Sequence, residues 1–408
     1  MNPTRLLVIS NGHGEDEVAV NLVQALGRRC STVGIQALPL VGTGVAYQQE
    51  HIPCLAPGAS LPSGGFWAMN PRRVWQDWQG GLWQFTRHQL EQVRTWVQRG
   101  GKVLAVGDSV PLLYAWWSGT NYAFVGTAKS QYYRNPRAGE TEYSPRFWER
   151  GCVYYPWERW LMQQPRCHGV FPRDRVTSDA LKRWPIPVFD LGNPMLDGLD
   201  PTGQLPLNDL DFVPDCTILL LPGSRSPEAY RNWGQILAAI APLTPCNQRF
   251  LFLSALAPAL ELPPLQTSLI SQGWQPQAIP ASLGGAKLFR HHHSRLVLTS
   301  RFGDCLHQAD LAIAMAGTAT EQCVGMGKPV ISMPGQGPQF TPTFAHAQAR
   351  LLGANITLLD KPEQVPTALA QIRQTSTHLW QQWGRDRMGL PGAADRIASV
   401  LQSWLEDK

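Results

Sequence analysis

Residues 221–228, LPGSRSPE, have the composition of a phosphate-binding turn. They follow a continuous apolar run and precede a helical pattern, with Ser226 as the expected N-cap and Pro227 in the first turn. Unpaired backbone N–H groups, the helix dipole, close approach at Gly223 and the forked guanidinium of Arg225 suit a phosphate or diphosphate. A capped turn with a surface arginine is the alternative interpretation. The predicted ligand-binding residues of this segment are Gly223, Ser224, Arg225 and Glu228.

Residues 316–321, AGTATE, repeat this arrangement after another apolar run. Gly317 and Thr318 place N–H and hydroxyl donors at a helix start, and Thr320 follows in the same turn. The carboxylate of Glu321 can accept hydrogen bonds from two vicinal hydroxyls, such as those of a ribose; a favourable first-turn charge is the alternative. Two polar helix starts, one with a cation and one with a carboxylate, predict a nucleoside diphosphate site.

The N-terminal loop at residues 9–17, ISNGHGEDE, differs from these two segments. Glu17 occupies the place of the third glycine of a dinucleotide-binding pattern, and with Glu15 and Asp16 it would repel a pyrophosphate. Carboxylates at this helix start suit sugar hydroxyls or proton abstraction, and complementarity to the helix dipole is the alternative. The other predicted site residues of this loop are Gly12, His13 and Gly14.

Asp108 follows the apolar run at 103–106 and is the main candidate for a general base. Its position at the end of an expected strand would place its carboxylate at the edge of a sheet. An N-cap for the next helix explains an aspartate there equally well. Glu15 and Asp16 are the alternative bases.

The elements that must position these residues follow one pattern in both halves of the chain. Short apolar runs alternate with helical patterns, which is typical of parallel sheets covered on both faces. We therefore predict an α/β protein with two doubly wound Rossmann-like domains facing across a cleft, where ligands bind at the strand ends. The expected boundaries are an N-terminal domain at 1–196, a linker at 197–215, a nucleotide-binding domain at 216–385, and a C-terminal helix at 386–408 that packs back on the first domain.

Composition excludes several classes of protein. Of 408 residues, 43% are hydrophobic and 16% charged, which is typical of globular domains rather than disordered chains. No apolar stretch has the roughly 20 residues of a membrane span, and the apolar run at 6–9 is too short for a signal peptide. Eight cysteines without a CxxC pair indicate reduced thiols and no metal site. We expect a cytoplasmic protein without a cofactor or a nucleic-acid partner.

The segments PGSRxxE and AGTATE together resemble lipid-A-disaccharide synthase, and the chain is most similar to the divergent branch called lipid-A-disaccharide synthase-related. Segments 14–16 (GED), 41–44 (VGTG), 107–108 (GD) and 191–197 (LGNPMLD) also match, so the resemblance covers most of the chain and is strongest in the C-terminal half. It implies a GT-B glycosyltransferase that moves a sugar, an N-acetylhexosamine derivative, from a UDP-sugar to a glycolipid with inversion. It further implies donor contacts from the loop at 335–340, including Gln339.

Three departures from the family pattern all lie on the acceptor side. The family's Gly-Glu-x-Ser-Gly-Asp is compressed to GED at 14–16. Its Asp-x-Pro-Asp-Phe-Asn keeps only Asp108, and its Ser-Pro-Ser-x-Trp-Ala-Trp loop is replaced by residues 125–130, VGTAKS. Two further interpretations therefore stay open: a sugar-nucleotide epimerase of the same fold, and a catalytically inactive nucleotide-sugar-binding protein.

A last feature concerns membranes. Ten of the 16 tryptophans lie between Trp67 and Trp160, interleaved with arginines. This combination suits a lipid headgroup interface, and large core aromatics among solvated charges are the alternative. With a net charge of +5, it predicts peripheral contact with the anionic inner face of a membrane.

Overall fold

The computed structural model describes residues 4–30, 32–56, 82–134, 151–337 and 340–406. The chain divides into two compact units. The first unit contains the described residues up to Asp197 together with those from Leu390 onward, and the second contains Gly198–Gly389.

The first unit is built on a parallel sheet whose order, among the described residues, is β2-β1-β3-β4-β5. The central residues of its inner strands are apolar, and residues 6–9 and 103–106 are buried, because helices cover both faces. The strand at Cys167–Pro172 was not predicted from the sequence, because an exposed His168 and Gly169 interrupt its apolar pattern. The strands are β1 Arg5–Ser10, β2 Gly34–Pro39, β3 Lys102–Gly107, β4 Tyr122–Gly126 and β5 Cys167–Pro172.

Helices of this unit connect successive strands or follow the last one. Helix α1 begins directly after β1, and α4 begins directly after β3 with Asp108 as its N-cap. The helices are α1 His13–Arg29, α2 Val45–Gln49, α3 Leu82–Gln98, α4 Ser109–Trp117, α5 Pro156–Met162 and α6 Arg175–Leu181.

The second unit has a longer sheet, ordered β13-β12-β11-β6-β7-β10-β9-β8 within the part of the chain that the structure describes. It is parallel except at one edge, where β8, β9 and β10 pair antiparallel. The sequence did not predict β8, β9 or β13, which are short or polar. The strands are β6 Cys216–Leu221, β7 Phe250–Ala255, β8 Gln275–Gln277, β9 Lys287–His291, β10 Ser294–Thr299, β11 Leu311–Ala314, β12 Val330–Ser332 and β13 Ile356–Leu358.

The core of the second unit lies between this sheet and its helices, with Trp233 fully buried at its centre. The helices are α7 Glu228–Ile240, α8 Leu262–Ser271, α9 Phe302–Gln308, α10 Thr318–Gly325, α11 Pro342–Leu352, α12 Val365–Gln374 and α13 Thr377–Met388. The two Rossmann-like sheets confirm the predicted fold class.

Two segments near the predicted boundaries are held by specific bonds. The start of the expected linker packs on the second unit, where the Asp304 carboxylate accepts hydrogen bonds from Thr202 Oγ1 at 2.6 Å and from the Gly203 N–H at 2.8 Å. The last helix, α14 Ala393–Glu406, belongs to the first unit and packs on α1. There the Asp197 carboxylate accepts a hydrogen bond from the Ala394 N–H at 2.5 Å.

Each sheet has one topological switch point. In the first, β1 lies between β2 and β3, and in the second, β6 lies between β11 and β7. The loops after the two strands at a switch point diverge to opposite faces, which opens a crevice at the carboxyl ends of those strands. The loops after β1 and β3, and those after β6 and β11, are therefore the places where a ligand can enter.

Candidate functional site

The loop after β6 contains the first predicted phosphate-binding segment. Gly223 has φ of +103°, and a Cβ there would approach the Met315 carbonyl to 3.3 Å, so glycine allows this loop to reach the neighbouring strand end. Arg225 is half-buried. The prediction that Ser226 caps the helix is wrong: α7 begins at Glu228 with Pro227 in the N-cap position and no side-chain cap, because Ser226 and Pro227 both belong to the turn.

The loop after β11 leads directly into α10. Gly317 is its N-cap, without a side-chain cap, so the first N–H groups of the helix remain for a ligand. Thr318 is half-buried, whereas Thr320 is fully buried and its hydroxyl donates to the Ala316 carbonyl at 2.7 Å. Glu321 is buried in the first turn, as the spacing predicts. The Thr320 hydroxyl is therefore already hydrogen-bonded within this turn, whereas Gly317 and Thr318 are its partly exposed residues.

Two buried amides that the sequence did not single out hold these loops. Asn232 Nδ2 donates to the Pro222 carbonyl at 3.0 Å and to the Met315 carbonyl at 3.3 Å, which joins the ends of β6 and β11. Gln348 Nε2 donates to the Gly317 carbonyl at 3.1 Å. The signal for Asn232 is an amide on the apolar face of α7, where a buried polar group needs a partner.

Glu228 shapes a third loop of this site. Its Oε1 accepts a hydrogen bond from the Phe340 N–H at 2.6 Å, and the carboxylate is buried. A Cβ at Gly337 would overlap the Glu228 carboxyl group, so glycine is required for the loop to lie over it. Glu228 thus anchors the loop that follows β12. Gln339, the predicted contact in this loop, lies outside the described residues.

At the switch point of the first unit, Asp108 is the N-cap of α4, one of the two roles that its position allows. Its Oδ1 accepts hydrogen bonds from the Val110 N–H at 2.8 Å and from Asn11 Nδ2 at 3.1 Å, so it caps α4. Both bonds fall on Oδ1, and among the described residues none falls on Oδ2, which is available to a ligand. Burial raises the pKa of this half-buried carboxyl; the two hydrogen bonds and the Lys129 cation act in the opposite direction, and the Glu158 charge raises it further.

An ion pair beside Asp108 was not predicted. Lys129 Nζ lies 2.7 Å from Oε2 of the fully buried Glu158 and 4.1 Å from the centre of the Tyr155 ring. The Tyr155 N–H donates to the same Oε2 at 2.6 Å. The Thr127 N–H donates to the Gly107 carbonyl at 3.0 Å, which fixes this loop next to Asp108. The sequence signal is a lysine just after a buried strand.

The carboxylates of the first turn of α1 point to different places. The side chain of Glu15 packs on Gly107, where a Cβ would meet its Cγ at 3.1 Å, so Glu15 lies at the same strand end as Asp108. Gly12, with φ of +128°, is the N-cap of α1. Gly14 is half-buried, and nothing is described for the His13 side chain.

Asp16, by contrast, is turned inward. It is only 2% exposed, and its Oδ1 accepts a hydrogen bond from Ser10 Oγ at 2.5 Å. Ser10 Oγ in turn lies 2.6 Å from the hydroxyl of the fully buried Tyr47. Burial raises the pKa of Asp16 to about 7; the Ser10 bond lowers it and the neighbouring Glu17 raises it. Of the two alternative bases, Glu15 is the one at the strand edge.

The tryptophans divide into core and surface positions. Trp96 is buried, with its indole N–H bonded to Gln36 Oε1 at 2.5 Å. Trp157 and Trp160 on α5 are 47% and 50% exposed. Trp67, Trp75, Trp78, Trp148, Arg72 and Arg73 lie outside the described residues.

The described residues contain no group of three or more His, Cys, Asp or Glu side chains placed to hold a metal ion. No helix among them is long and apolar enough to cross a membrane.

Comparison with known proteins places this geometry in a structural class. No family model and no curated protein matches the sequence. Solved structures match in fold: the UDP-GlcNAc 2-epimerase from Neisseria meningitidis bound to UDP-GlcNAc has a TM-score of 0.54 at 14% identity, covering 98% of this chain and 100% of its own. Acinetobacter baumannii MurG has a TM-score of 0.54 at 14% identity over 98% and 100% of the two chains. Medicago truncatula UGT71G1 complexed with UDP-glucose has 0.56 at 10% identity over 99% and 98%.

The two Rossmann-like units and these neighbours define the chain as a protein of the GT-B fold. At such low identities the likeness concerns the fold alone.

Proposed function

We propose that the protein is a glycosyltransferase that uses a UDP-sugar as its donor. The observation that carries this proposal is the pair of loops at the β6–β11 switch point, which Asn232 ties together at 3.0 and 3.3 Å. A nucleoside diphosphate needs backbone N–H donors and a cation for its phosphates and an acceptor for its ribose. These loops supply all three, through Gly317, Arg225 and Glu321. The fold-level similarity to structures holding UDP-GlcNAc and UDP-glucose supports the same donor class.

Within this site each group has a separate role. Arg225 and the N–H groups at the start of α10 bind the diphosphate, with Gly223 permitting close approach and the hydroxyls of Ser224 and Thr318 adding donors. Glu321 accepts from the ribose hydroxyls. Glu228 keeps the loop before Phe340 in place, and Gln339 of that loop contacts the donor. Positive charge at the diphosphate stabilises the leaving group without a divalent metal.

The first unit supplies the acid–base chemistry. Oδ2 of Asp108 takes the proton of an acceptor hydroxyl as its oxygen attacks the anomeric carbon. The bond from that carbon to the diphosphate oxygen breaks on the opposite face, so the configuration inverts and UDP leaves. Lys129 offsets part of the burial cost of the Asp108 charge. Glu15, at the same strand end, is the alternative base.

The sequence resemblance to lipid-A-disaccharide synthase supports a finer assignment of both substrates. The donor sugar is an N-acetylhexosamine derivative and the acceptor is a glycolipid. Such an acceptor is presented at a membrane, so the protein works at the inner face of that membrane as a peripheral protein of the cytoplasm.

Epimerisation of the same nucleotide sugar is the second candidate. It is favoured by the similarity to UDP-GlcNAc 2-epimerases, including those from Neisseria meningitidis and Methanocaldococcus jannaschii. An epimerase needs the same donor loops and a carboxylate base but no acceptor, so the two activities differ in their requirement for lipid.

Purified protein incubated with a panel of UDP-sugars, with and without membrane lipid extract, separates these possibilities. Release of UDP that depends on lipid and yields a glycosylated lipid supports the transferase. Isomerised sugar without lipid identifies an epimerase. Binding of UDP-sugar in calorimetry without either product identifies an inactive nucleotide-sugar-binding protein. An Asp108→Asn variant serves as the control for turnover.

A further inference from the structure

Helix α5 presents tryptophans to solvent. Trp157 and Trp160 are 47% and 50% exposed and stand three positions apart, so they share one helix face. The Trp160 ring packs edge-on against Trp116, 5.4 Å away, and Trp117 follows at the end of α4. We call Trp116, Trp117, Trp157 and Trp160 the aromatic surface.

The remaining residues of α5 explain why these rings cannot turn inward. Glu158, Leu161 and Met162 are buried and occupy the inner face of the helix, with Glu158 paired to Lys129. The outer face is therefore the only one left for Trp157 and Trp160. Large exposed aromatic groups that a fold does not bury are typical of a surface that meets an apolar or interfacial partner.

The charge around the aromatic surface is basic. Arg159 lies 4.2 Å above the Trp184 ring, and Arg166 donates to the Trp116 carbonyl at 3.2 Å. Lys182 and Arg183 are exposed at the end of α6. The exposed carboxylate of Asp179 on the same helix is paired with Lys182 at 3.2 Å. Tryptophan surrounded by arginine and lysine matches the chemistry of an anionic lipid headgroup layer.

We propose that the aromatic surface is where the protein binds an anionic lipid bilayer, with Trp157 and Trp160 entering the interface. A second copy of this chain is the less suitable occupant, because a symmetric contact would bring two sets of these arginines and lysines together.

The direction of α4 gives the location of this surface relative to Asp108. Helix α4 begins at the Asp108 cap and ends at Trp117 after nine residues, a length of about 13 Å. Because α4 leaves the carboxyl end of β3 and returns to the start of the parallel strand β4, its end at Trp117 lies toward the opposite edge of the sheet from Asp108. Binding to lipid is therefore tested independently of the proposed function.

The test is co-sedimentation of the full chain with vesicles of phosphatidylcholine alone and with vesicles containing phosphatidylglycerol. The wild-type protein should bind the anionic vesicles, and a Trp157→Ala/Trp160→Ala variant should bind them at least about tenfold more weakly, because two large apolar contacts are lost. A Lys182→Gln/Arg183→Gln variant should lose about fivefold for each charge and show a smaller dependence on salt. The matched control is Ile270→Ala/Leu390→Ala, which removes side chains that are 53% and 56% exposed elsewhere and should bind as wild type.

Equal binding of the wild type and the double tryptophan variant would overturn the proposal, as would failure of the wild type to bind anionic vesicles. Self-association of the wild type that disappears in the tryptophan variant, without vesicle binding, would assign the surface to a second copy. Calorimetry with UDP on the same proteins keeps the two proposals apart: if the wild type does not bind UDP, the proposed function is contradicted and the vesicle result still stands.

Discussion

Replacing Asp16 with asparagine should remove a pH-dependent loss of stability from the first unit. The Asp16 carboxyl is 2% exposed and accepts a hydrogen bond from Ser10 at 2.5 Å, with Tyr47 behind it. Burial raises its pKa from 3.8 to about 7. Asparagine keeps the oxygen that accepts from Ser10 and has nearly the same shape, so the substitution changes ionisation and little else.

The sign follows from the proton count. Between about pH 4 and pH 7 the folded protein holds the Asp16 proton, whereas the unfolded chain has lost it. The free energy of unfolding therefore falls as the pH rises through this window. At about 1.4 kcal/mol for each pKa unit the full loss is roughly 4 kcal/mol, and more than half of it falls between pH 5 and pH 8. The asparagine variant should not show this part of the fall.

Hydrogen exchange of the β1 amides at residues 6–9 is the suitable assay, since a chain of two units need not unfold in one step. These residues are fully buried, so their amides exchange when the first unit opens. Opening free energies are measured for both proteins at pH 5 and pH 8, and the difference between the proteins isolates Asp16 from every other titrating group.

A matched variant, Glu17→Gln, removes a carboxylate from the same turn that is exposed rather than buried. It should retain most of the decline in stability that the wild type shows. If wild type and Asp16→Asn decline equally between pH 5 and pH 8, Asp16 titrates at an ordinary pKa and the reasoning from burial is refuted.

Three further predictions concern the candidate sites. Asp108→Asn should lower turnover by about 10²–10⁴ with little change in UDP affinity, and retained turnover together with its loss in Glu15→Gln would move the base to Glu15. Arg225→Ala should weaken UDP binding in calorimetry by roughly tenfold to a hundredfold, and an unchanged affinity would remove it from the diphosphate site. Asn232→Leu should leave two buried carbonyls without their donor, which costs about 1–3 kcal/mol for each and misaligns both loops. UDP affinity should therefore fall at least about tenfold, and normal affinity in a folded Asn232→Leu variant would show that the loops hold their positions without this amide.

Local pattern sufficed for the apolar parallel strands and for the loops that carry the polar residues, but not for β5 or for the short or polar strands β8, β9 and β13. Continuous apolar runs such as 103–106 predicted the buried parallel strands because a strand covered on both faces needs apolar side chains at every position. Glycine and polar residues just after these apolar runs predicted the loops at Gly223 and Gly317, because such residues are typical of turns between a strand and a helix. Strand β5 was not predicted because His168 and Gly169 interrupt its run of apolar residues.

Tertiary structure alone decided the direction of each side chain and the partners that hold it. Glu15 and Asp16 are adjacent in sequence but have different surroundings. Glu15 packs on Gly107 at the strand edge, whereas Asp16 is buried against Ser10. This difference depends on how α1 is rotated on the sheet. The pairs of Asn232 with Met315 and of Lys129 with Glu158 join segments 83 and 29 residues apart. No periodicity along the chain records such contacts, because they form only when strands distant in sequence become neighbours in a sheet.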